Sequence, residues 1–231
     1  MLITGLQKST LLDYPGEIAC IIFTYGCNLR CEYCHNPELV TLPCNKRDVL
    51  SEEMIYSFLE GRKDQLDAVV ITGGEPTIQS DLIPFIKKIR DMGYLIKLDT
   101  NGTNSKMVEE ILKMHIVDYW AMDVKYQKEL YKQKLEDNVD YKEIEKSIHL
   151  LMNNAKDYEF RTTYVKGIHT IESVEGIGKL IKGAKRYYIQ NFRPGKTINP
   201  SLNNKNSFTP KELEEIKRVM KEYVKDIVIR N

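Results

Sequence analysis

Three of the five cysteines lie close together, at Cys27, Cys31 and Cys34, with the spacing C-x3-C-x2-C. Thiolates packed this tightly on one segment are typical of a metal centre rather than of a disulfide framework. An iron–sulfur cubane usually takes four thiolates, so three would leave one iron open to a ligand that is not a cysteine. The spacing therefore indicates a cluster with one open coordination position.

A structural zinc site is the alternative, because His35 directly follows Cys34 and completes a set of three cysteines and one histidine. Zinc sites usually draw their ligands from two separated pairs. Two adjacent ligands on one tetrahedral ion would strain the loop, so an iron–sulfur cluster is favoured and zinc stays open. The positions of the other two cysteines in the sequence show no ligand-type spacing: Cys20 is predicted to lie in the core, and Cys44 in a loop.

The composition is that of an ordinary globular chain of 231 residues, with 42% apolar and 29% charged residues. The apolar run 18–23 is far too short to span a bilayer, and residues 1–5 lack the pattern of a signal peptide. An odd number of cysteines, three of them on one loop, fits a reducing compartment. We therefore expect one cytoplasmic domain over residues 1–231, without a membrane partner.

The net charge of +1 is unevenly distributed along the chain. Residues 176–231 hold 13 Lys and Arg against 5 Asp and Glu, a local charge of +8, whereas residues 1–175 hold 21 against 28, a local charge of −7. Such asymmetry can indicate an acidic partner or nucleic acid, but solvated helix faces and a lysine-rich tail explain it more simply. We expect no nucleic-acid partner.

Apolar strands alternate with amphipathic helices between residues 18 and 192, after an N-terminal arm or hairpin over residues 1–17. The predicted strands cover residues 18–24, 67–72, 94–98, 117–124, 159–165 and 187–192. The predicted helices cover residues 51–61, 80–92, 105–114, 141–153 and 171–183. Residues 193–231 add a polar loop, a helix capped by Thr209 and a short strand at 227–229.

This alternation predicts a parallel sheet with right-handed crossovers, which either a doubly wound sheet or a partial barrel would satisfy. Every predicted strand delivers polar or glycine residues near its carboxyl end, where barrel enzymes build their sites. A doubly wound sheet would gather them at one switch point instead. We therefore expect an α/β fold, a partial (β/α)6 TIM-like barrel of parallel strands with its core over residues 18–192.

The expected rim carries several groups that could bind a ligand. Taken singly, the two glycines of Gly73-Gly74-Glu75-Pro76 could mark only a tight turn, and each charged residue could form only a surface ion pair. Their predicted position on one rim, beside the cysteine loop, makes a binding site the better interpretation. The charged residues are Asp99, Asp123, Lys125 and Arg161.

The cysteine loop and Gly73-Gly74-Glu75-Pro76 together resemble the radical S-adenosylmethionine superfamily. Within it, Tyr-Cys-His-Asn-Pro at 33–37, Asp-Thr-Asn-Gly at 99–102 and Asp-Val-Lys at 123–125 resemble the activating enzymes of glycyl-radical enzymes. The segments 5–16 and 70–76 are similar to the anaerobic ribonucleoside-triphosphate reductase activating protein family in its longer form. The likeness runs from about residue 3 to residue 195, so the radical SAM type of partial barrel is implied.

The resemblance implies the cofactors and their contacts. Cys27, Cys31 and Cys34 would bind three irons of one [4Fe–4S] cluster, and S-adenosylmethionine would chelate the fourth iron. The methionine amino group would be lined by Gly73, Gly74 and Glu75. The adenine would meet the backbone around Tyr33 and His35. Further cofactor contacts are expected from Asp123, Lys125 and Arg161.

Two details of the family pattern concern single positions. Asp99 and Thr100, with Asp123, match a monovalent-cation site of one branch, so such a cation is a possible further ligand. Phe192 stands where that branch has a cofactor-contacting histidine, which puts this contact in doubt. Residues 38–66 contain only Cys44, so no second cluster is expected.

The implied activity is reductive cleavage of S-adenosylmethionine and formation of a glycyl radical on a large partner enzyme. The partner that the resemblance favours is an anaerobic ribonucleoside-triphosphate reductase. An electron donor such as flavodoxin or ferredoxin is implied, and the basic loop 193–205 is a candidate docking surface. Three alternatives stay open: activation of another glycyl-radical enzyme of the pyruvate formate-lyase type, radical chemistry on a small molecule as in a carboxydeazaguanine synthase, and a plain iron–sulfur electron carrier.

Overall fold

The fold is built on one eight-stranded sheet. The computed structural model describes residues 1–40, 44, 46–134 and 140–230. The strands lie in the sheet in chain order: β1 Ile3–Thr10, β2 Ala19–Thr24, β3 Ala68–Gly73, β4 Leu95–Thr100, β5 Tyr119–Asp123, β6 Tyr158–Tyr164, β7 Arg186–Asn191 and β8 Asp226–Arg230. β1 runs antiparallel to β2, and every later pair is parallel. Within the described residues no ladder joins β1 to β8, so the sheet is open.

Helices connect the parallel strands and pack against the outer face of the sheet. In the described part of the chain they are α1 Glu52–Glu60, α2 Leu82–Asp91, α3 Ser105–Met114, α4 Lys128–Lys134, α5 Tyr141–Asn154, α6 Ile171–Leu180 and α7 Pro210–Met220. The start of α7 follows the sequence signals closely. Thr209 and Glu212 form a reciprocal capping box, with Pro210 in the first turn.

The predicted fold class is confirmed, with an open parallel sheet and helical crossovers. The six predicted core strands are β2–β7, and the short strand predicted near the end is β8. The segment 1–17, predicted to be an arm or hairpin, contains the single strand β1, which pairs with β2. β8 pairs in parallel with β7 and so extends the parallel set to seven strands. The sequence did not predict α4, because this seven-residue helix is mostly polar and lacks an apolar stripe.

Side-chain alternation along the strands separates two environments. Outward-facing residues such as Ile96 and Leu98 pack under the helices in the main core. The inner face carries a smaller apolar cluster near the amino ends of the strands, which Leu95 joins. Because successive residues of a strand point to opposite faces, Lys97 and Asp99 lie on the same inner face as Leu95. The interior therefore changes from apolar at the amino ends to charged at the carboxyl ends.

The α-helices of the described residues contain 7 to 14 residues each. None of them is both long enough and apolar enough to cross a bilayer.

Candidate active site

A cleft of about 200 Å³ opens at the carboxyl ends of the parallel strands. It brings together every site residue that the sequence predicted, from five separate segments of the chain. The predicted residues that line it are Cys27, Cys31, Tyr33, Cys34, His35, Gly73, Gly74, Glu75, Asp99, Thr100, Asp123, Lys125 and Arg161. The parallel topology explains this convergence, because all carboxyl ends of β2–β6 meet at one edge.

The cysteine loop follows β2 and forms one wall of the cleft. Burial raises the pKa of the Cys27 thiol to about 12, and burial also raises the pKa of Cys31, although the Lys125 ammonium opposes both shifts. The two thiols are therefore protonated near neutral pH in the absence of a metal. A bound metal deprotonates a thiol ligand outright, so loading of this site would release protons.

Gly73 and Gly74 join β3 to the cysteine loop through close backbone contacts. Gly74 N donates to Thr24 O at 2.9 Å, and Glu75 N donates to Gly26 O at 2.8 Å. Gly73 has a φ of +120°, a left-handed conformation that favours glycine. A Cβ on Gly74 would lie only 1.9 Å from Gly26 O. These glycines therefore permit the approach of two protein segments, in addition to lining the cleft.

We expect Gly74→Ala to destabilise the protein by about 1–3 kcal/mol, the usual range for overpacking, because the carbonyl of Gly26 belongs to the backbone and cannot rotate away. Gly195→Ala is the matched control, since nothing lies within 4 Å of its added methyl group. Urea denaturation of the two variants measures the difference. Equal midpoints for Gly74→Ala and Gly195→Ala would contradict this explanation.

Glu75 is a buried hydrogen-bond hub at the base of the cleft. Its Oε1 accepts hydrogen bonds from the Thr77 hydroxyl at 2.6 Å and the Thr100 hydroxyl at 2.7 Å, and its Oε2 accepts from Asn101 N at 2.6 Å. Burial raises the pKa of Glu75, and these donors work against that shift. The carboxylate thus ties the segment after β3 to the segment after β4, a role that the sequence did not reveal.

A network of alternating charges crosses the inner face beside the cleft. Lys97 Nζ lies 2.8 Å from Asp99 Oδ1, and Arg161 Nη2 lies 3.0 Å from Asp99 Oδ2. Arg161 also pairs with Asp123, and Lys125 Nζ lies 3.1 Å from Asp123 Oδ2. Burial alone would raise the pKa of both carboxyl groups, but the neighbouring cations outweigh it and hold both below the ordinary value.

This network bears on the monovalent cation that the family resemblance implied. Both carboxylates of that site, Asp99 and Asp123, already have cationic side-chain partners. Thr100, the third member, instead donates its hydroxyl to Glu75. The charges of Asp99 and Asp123 are thus already balanced by side chains of the protein, and a bound cation stays a prediction. Lys97 was not predicted as a site residue, although a lysine two positions before Asp99 in an apolar strand was a visible signal.

Lys125 is held by its backbone as well as by its side chain. Its N–H donates to the Tyr131 hydroxyl at 2.7 Å, and its carbonyl lies 2.9 Å from His169 Nε2. Because Val165 N donates to His169 Nδ1 at 3.0 Å, the ring proton sits on Nε2 and is donated to Lys125. Burial lowers the pKa of His169, which keeps the ring neutral in this role. Sequence reasoning assigned no function to Tyr131 or His169.

The polar segment 193–208 lies against the cysteine loop. Asn199 N donates to Glu32 O at 2.8 Å, and Arg193 O lies 2.7 Å from His35 Nε2. Lys196 Nζ and a Glu38 carboxylate oxygen are 3.1 Å apart. The His35 ring also stacks on Phe192 with 5.5 Å between ring centroids. The segment therefore braces the loop that carries the three cysteines.

The chain is similar in sequence to proteins of one known superfamily. The sequence model of the radical SAM superfamily matches residues 21–181. A Methanocaldococcus jannaschii protein, provisionally named a glycyl-radical enzyme activating enzyme, is 35% identical over 236 residues, which is 99% of this chain and 95% of the relative. The pyruvate formate-lyase-activating enzyme of Clostridium pasteurianum is 33% identical over 129 residues, covering 54% of this chain and 52% of that protein.

Solved structures show the same fold at low sequence identity. Streptococcus suis SuiB bound to the precursor peptide SuiA has a TM-score of 0.67 and 16% identity, over 91% of this chain and 48% of SuiB. A domain of the pyruvate-formate lyase-activating enzyme from Bacteroides vulgatus has a TM-score of 0.56 and 14% identity, over 71% of this chain and 99% of that domain.

The chain belongs to the radical S-adenosylmethionine superfamily, as its cysteine loop and open parallel sheet already indicated. Within that superfamily the full-length match groups it with the glycyl-radical enzyme activating enzymes. It is accordingly an enzyme that uses a [4Fe–4S] cluster and S-adenosylmethionine.

The residues of the cleft fit this cofactor pair. The three cysteines line one wall together, and a cubane presents separate irons to separate thiolates, so their sulfurs need not converge on one point. Among the described residues, no three His, Cys, Asp or Glu side chains are placed to hold a single metal ion. The zinc alternative also required His35, whose ring nitrogen is engaged with the Arg193 carbonyl instead.

Proposed function

We propose that this chain forms a glycyl radical on a large partner enzyme. The partner that we propose is an anaerobic ribonucleoside-triphosphate reductase. The observation that carries the proposal is the convergence of three cysteines and the polar rim residues in one cleft at the carboxyl ends of the parallel strands. The full-length relative supports the activating role. The reductase as partner rests on the likeness of the segments 5–16 and 70–76 to that activase family.

In this proposal the residues of the chain bind and orient the cofactors. Cys27, Cys31 and Cys34 hold three irons of the cluster. Gly73, Gly74 and Glu75 line the amino group of the methionine moiety. The Lys125 ammonium, placed by Asp123 and by its clamped backbone, offers a positive charge to the cofactor carboxylate. When bound, the cluster and S-adenosylmethionine supply the one-electron reduction and the hydrogen-abstracting radical.

The partner must bring a glycine to this cleft. We propose that this glycine enters from the open side of the sheet, since no ladder joins β1 to β8 in the described residues. Arg193, Lys196 and Lys205 are exposed on the segment that braces the loop, so we assign the docking of the partner to this basic surface. We further propose that the chain works as one domain in the cytoplasm, with a small flavodoxin or ferredoxin as electron donor.

Anaerobic reconstitution with iron and sulfide, followed by dithionite and S-adenosylmethionine, tests the proposal. We expect 5′-deoxyadenosine and, after addition of an anaerobic ribonucleotide reductase, a glycyl-radical signal in electron paramagnetic resonance. Absence of 5′-deoxyadenosine would contradict enzymatic cleavage. Cleavage without a radical signal on any glycyl-radical partner would contradict the activating role and favour a small-molecule substrate.

A second candidate partner is a glycyl-radical enzyme of the pyruvate formate-lyase type. The specific observation in its favour is the 33% identity to the Clostridium pasteurianum activating enzyme. The same assay with purified pyruvate formate-lyase in place of the reductase separates the two candidates. A faster rate of radical formation on the reductase supports our first choice, and a faster rate on the lyase overturns it.

A further inference from the structure

Three side chains behind the cysteine loop form a closed ring of hydrogen bonds. Asn28 Nδ2 donates to the Thr103 hydroxyl at 2.7 Å, and this hydroxyl donates to Asn101 Oδ1 at 2.7 Å. Asn101 Nδ2 closes the ring by donating to Asn28 Oδ1 at 3.1 Å. The ring joins the cysteine loop to the Asp-Thr-Asn-Gly segment, and neither the family comparison nor the sequence assigned it a role.

The ring fixes which end of the Asn101 amide faces the cysteines. Its Oδ1 accepts from both Thr103 N at 3.0 Å and the Thr103 hydroxyl, so this end must be the oxygen. The Nδ2 end consequently points to Cys27 Sγ, at 3.9 Å. The Asn101 backbone is anchored as well, since its N–H donates to Glu75 Oε2. Asn101 is only 4% exposed, so water competes little with this contact.

Two N–H dipoles therefore face the sulfur of Cys27. Leu29 N contributes the second, at 3.4 Å from Sγ. Hydrogen bonds to cluster sulfurs are one of the factors that set the reduction potential of an iron–sulfur cluster. Donors stabilise the reduced form more than the oxidised form, because reduction adds negative charge to the cluster and its thiolates. Each donor thus makes reduction easier.

We propose that Asn101 is a positioning residue that raises the reduction potential of the cluster by directing its amide N–H at Cys27 Sγ. This inference rests on the cluster assignment in the proposed function and adds a role to that site. It also connects two motifs physically, because Glu75 anchors the backbone of the residue whose side chain reaches the cysteine.

Potentiometric titration of the reconstituted cluster, followed by electron paramagnetic resonance, tests this proposal without relying on activity. Asn101→Ala removes the donor, and we expect the ratio of reduced to oxidised cluster at a fixed poise to fall about tenfold, equivalent to about 59 mV for one electron. Asn101→Asp keeps the acceptor for Thr103 but turns a carboxylate oxygen toward Cys27, so a larger fall is expected. Asn104→Ala is the control, because Asn104 caps α3 and bonds Thr77 instead.

The comparison between the two substitutions distinguishes an effect of Asn101 on the reduction potential from a purely structural role. A structural role predicts that the isosteric Asn101→Asp resembles wild type more than Asn101→Ala does, and that result would overturn the proposal. Unchanged potentials in both variants, or folded variants that lose iron while Asn104→Ala retains it, would also overturn it. Failure of the wild-type protein to bind a cluster would instead contradict the proposed function itself.

Discussion

Cys31→Ala is expected to abolish formation of 5′-deoxyadenosine and to lower the iron content of the reconstituted protein. Removing an outer-shell partner of a metal ligand typically costs roughly 10–100-fold in affinity or activity, so loss of a ligand should exceed 100-fold. The thiol lies at the wall of the cleft, among the residues that surround the proposed cofactors. Iron analysis and chromatography of the reaction products measure both effects.

Cys44→Ala is the matched control for this prediction. Both cysteines are partly buried, and neither is in a disulfide. The described residues that line the cleft do not include Cys44. The control should retain both iron and product formation. Comparable losses in the two variants would contradict the assignment of the cluster to the C-x3-C-x2-C loop.

Arg161→Ala is expected to lower the free energy of unfolding by about 3–5 kcal/mol, the range observed when one partner of a buried ion pair is removed. The Arg161 side chain is 15% exposed and pairs with both Asp99 and Asp123. Its loss leaves two carboxylates with one cation each on the inner face of the sheet. Urea denaturation at neutral pH measures the effect.

The pH dependence of this difference follows from the carboxyl pKa values. Asp99 and Asp123 have folded pKa values below the ordinary value of about 3.9. The stability that they contribute is present above that pH and is lost as the pH falls through the folded pKa values. The difference in the free energy of unfolding between wild type and Arg161→Ala should therefore become smaller below about pH 4. A gap that is independent of pH would indicate lost packing instead.

Arg218→Ala is the control for the arginine substitution. Its side chain is 75% exposed and pairs with Glu215 on the surface of α7. Exposed pairs of this kind contribute about 0.2–1 kcal/mol, so the unfolding midpoint should change little. A similar loss of stability in the two variants would show that burial of the Arg161 network is not the cause.

Local sequence pattern predicted most of the framework of the site. Apolar runs gave the positions of β2–β7 to within about two residues, because period 2 in strands and period 3.6 in helices are local properties. The spacing of the three cysteines and the residues after each strand then located the rim. These residues converge since the carboxyl ends of parallel strands share one edge. The short polar helix α4 has no such pattern and was missed.

Only the tertiary structure decided how the rim residues pair. Arg161 reaches Asp99 across β5, where the register places the small residue Ala121 opposite Asp99. The contact depends on the register of three strands and on the size of that residue, and no sequence period reports either. The same holds for His35 and Arg193, which meet although 158 positions separate them.

The glycine motif shows the difference most clearly. The sequence by itself determined that Gly73 and Gly74 end a strand and lie beside the cysteine loop, since both follow from the βα alternation. The tertiary structure decided why glycine is needed: the backbone of Gly26 occupies the space of a Cβ on Gly74. Glu75 likewise turned out to bind the Thr100 hydroxyl and the Asn101 amide. Such contacts depend on how the strand ends pack in three dimensions.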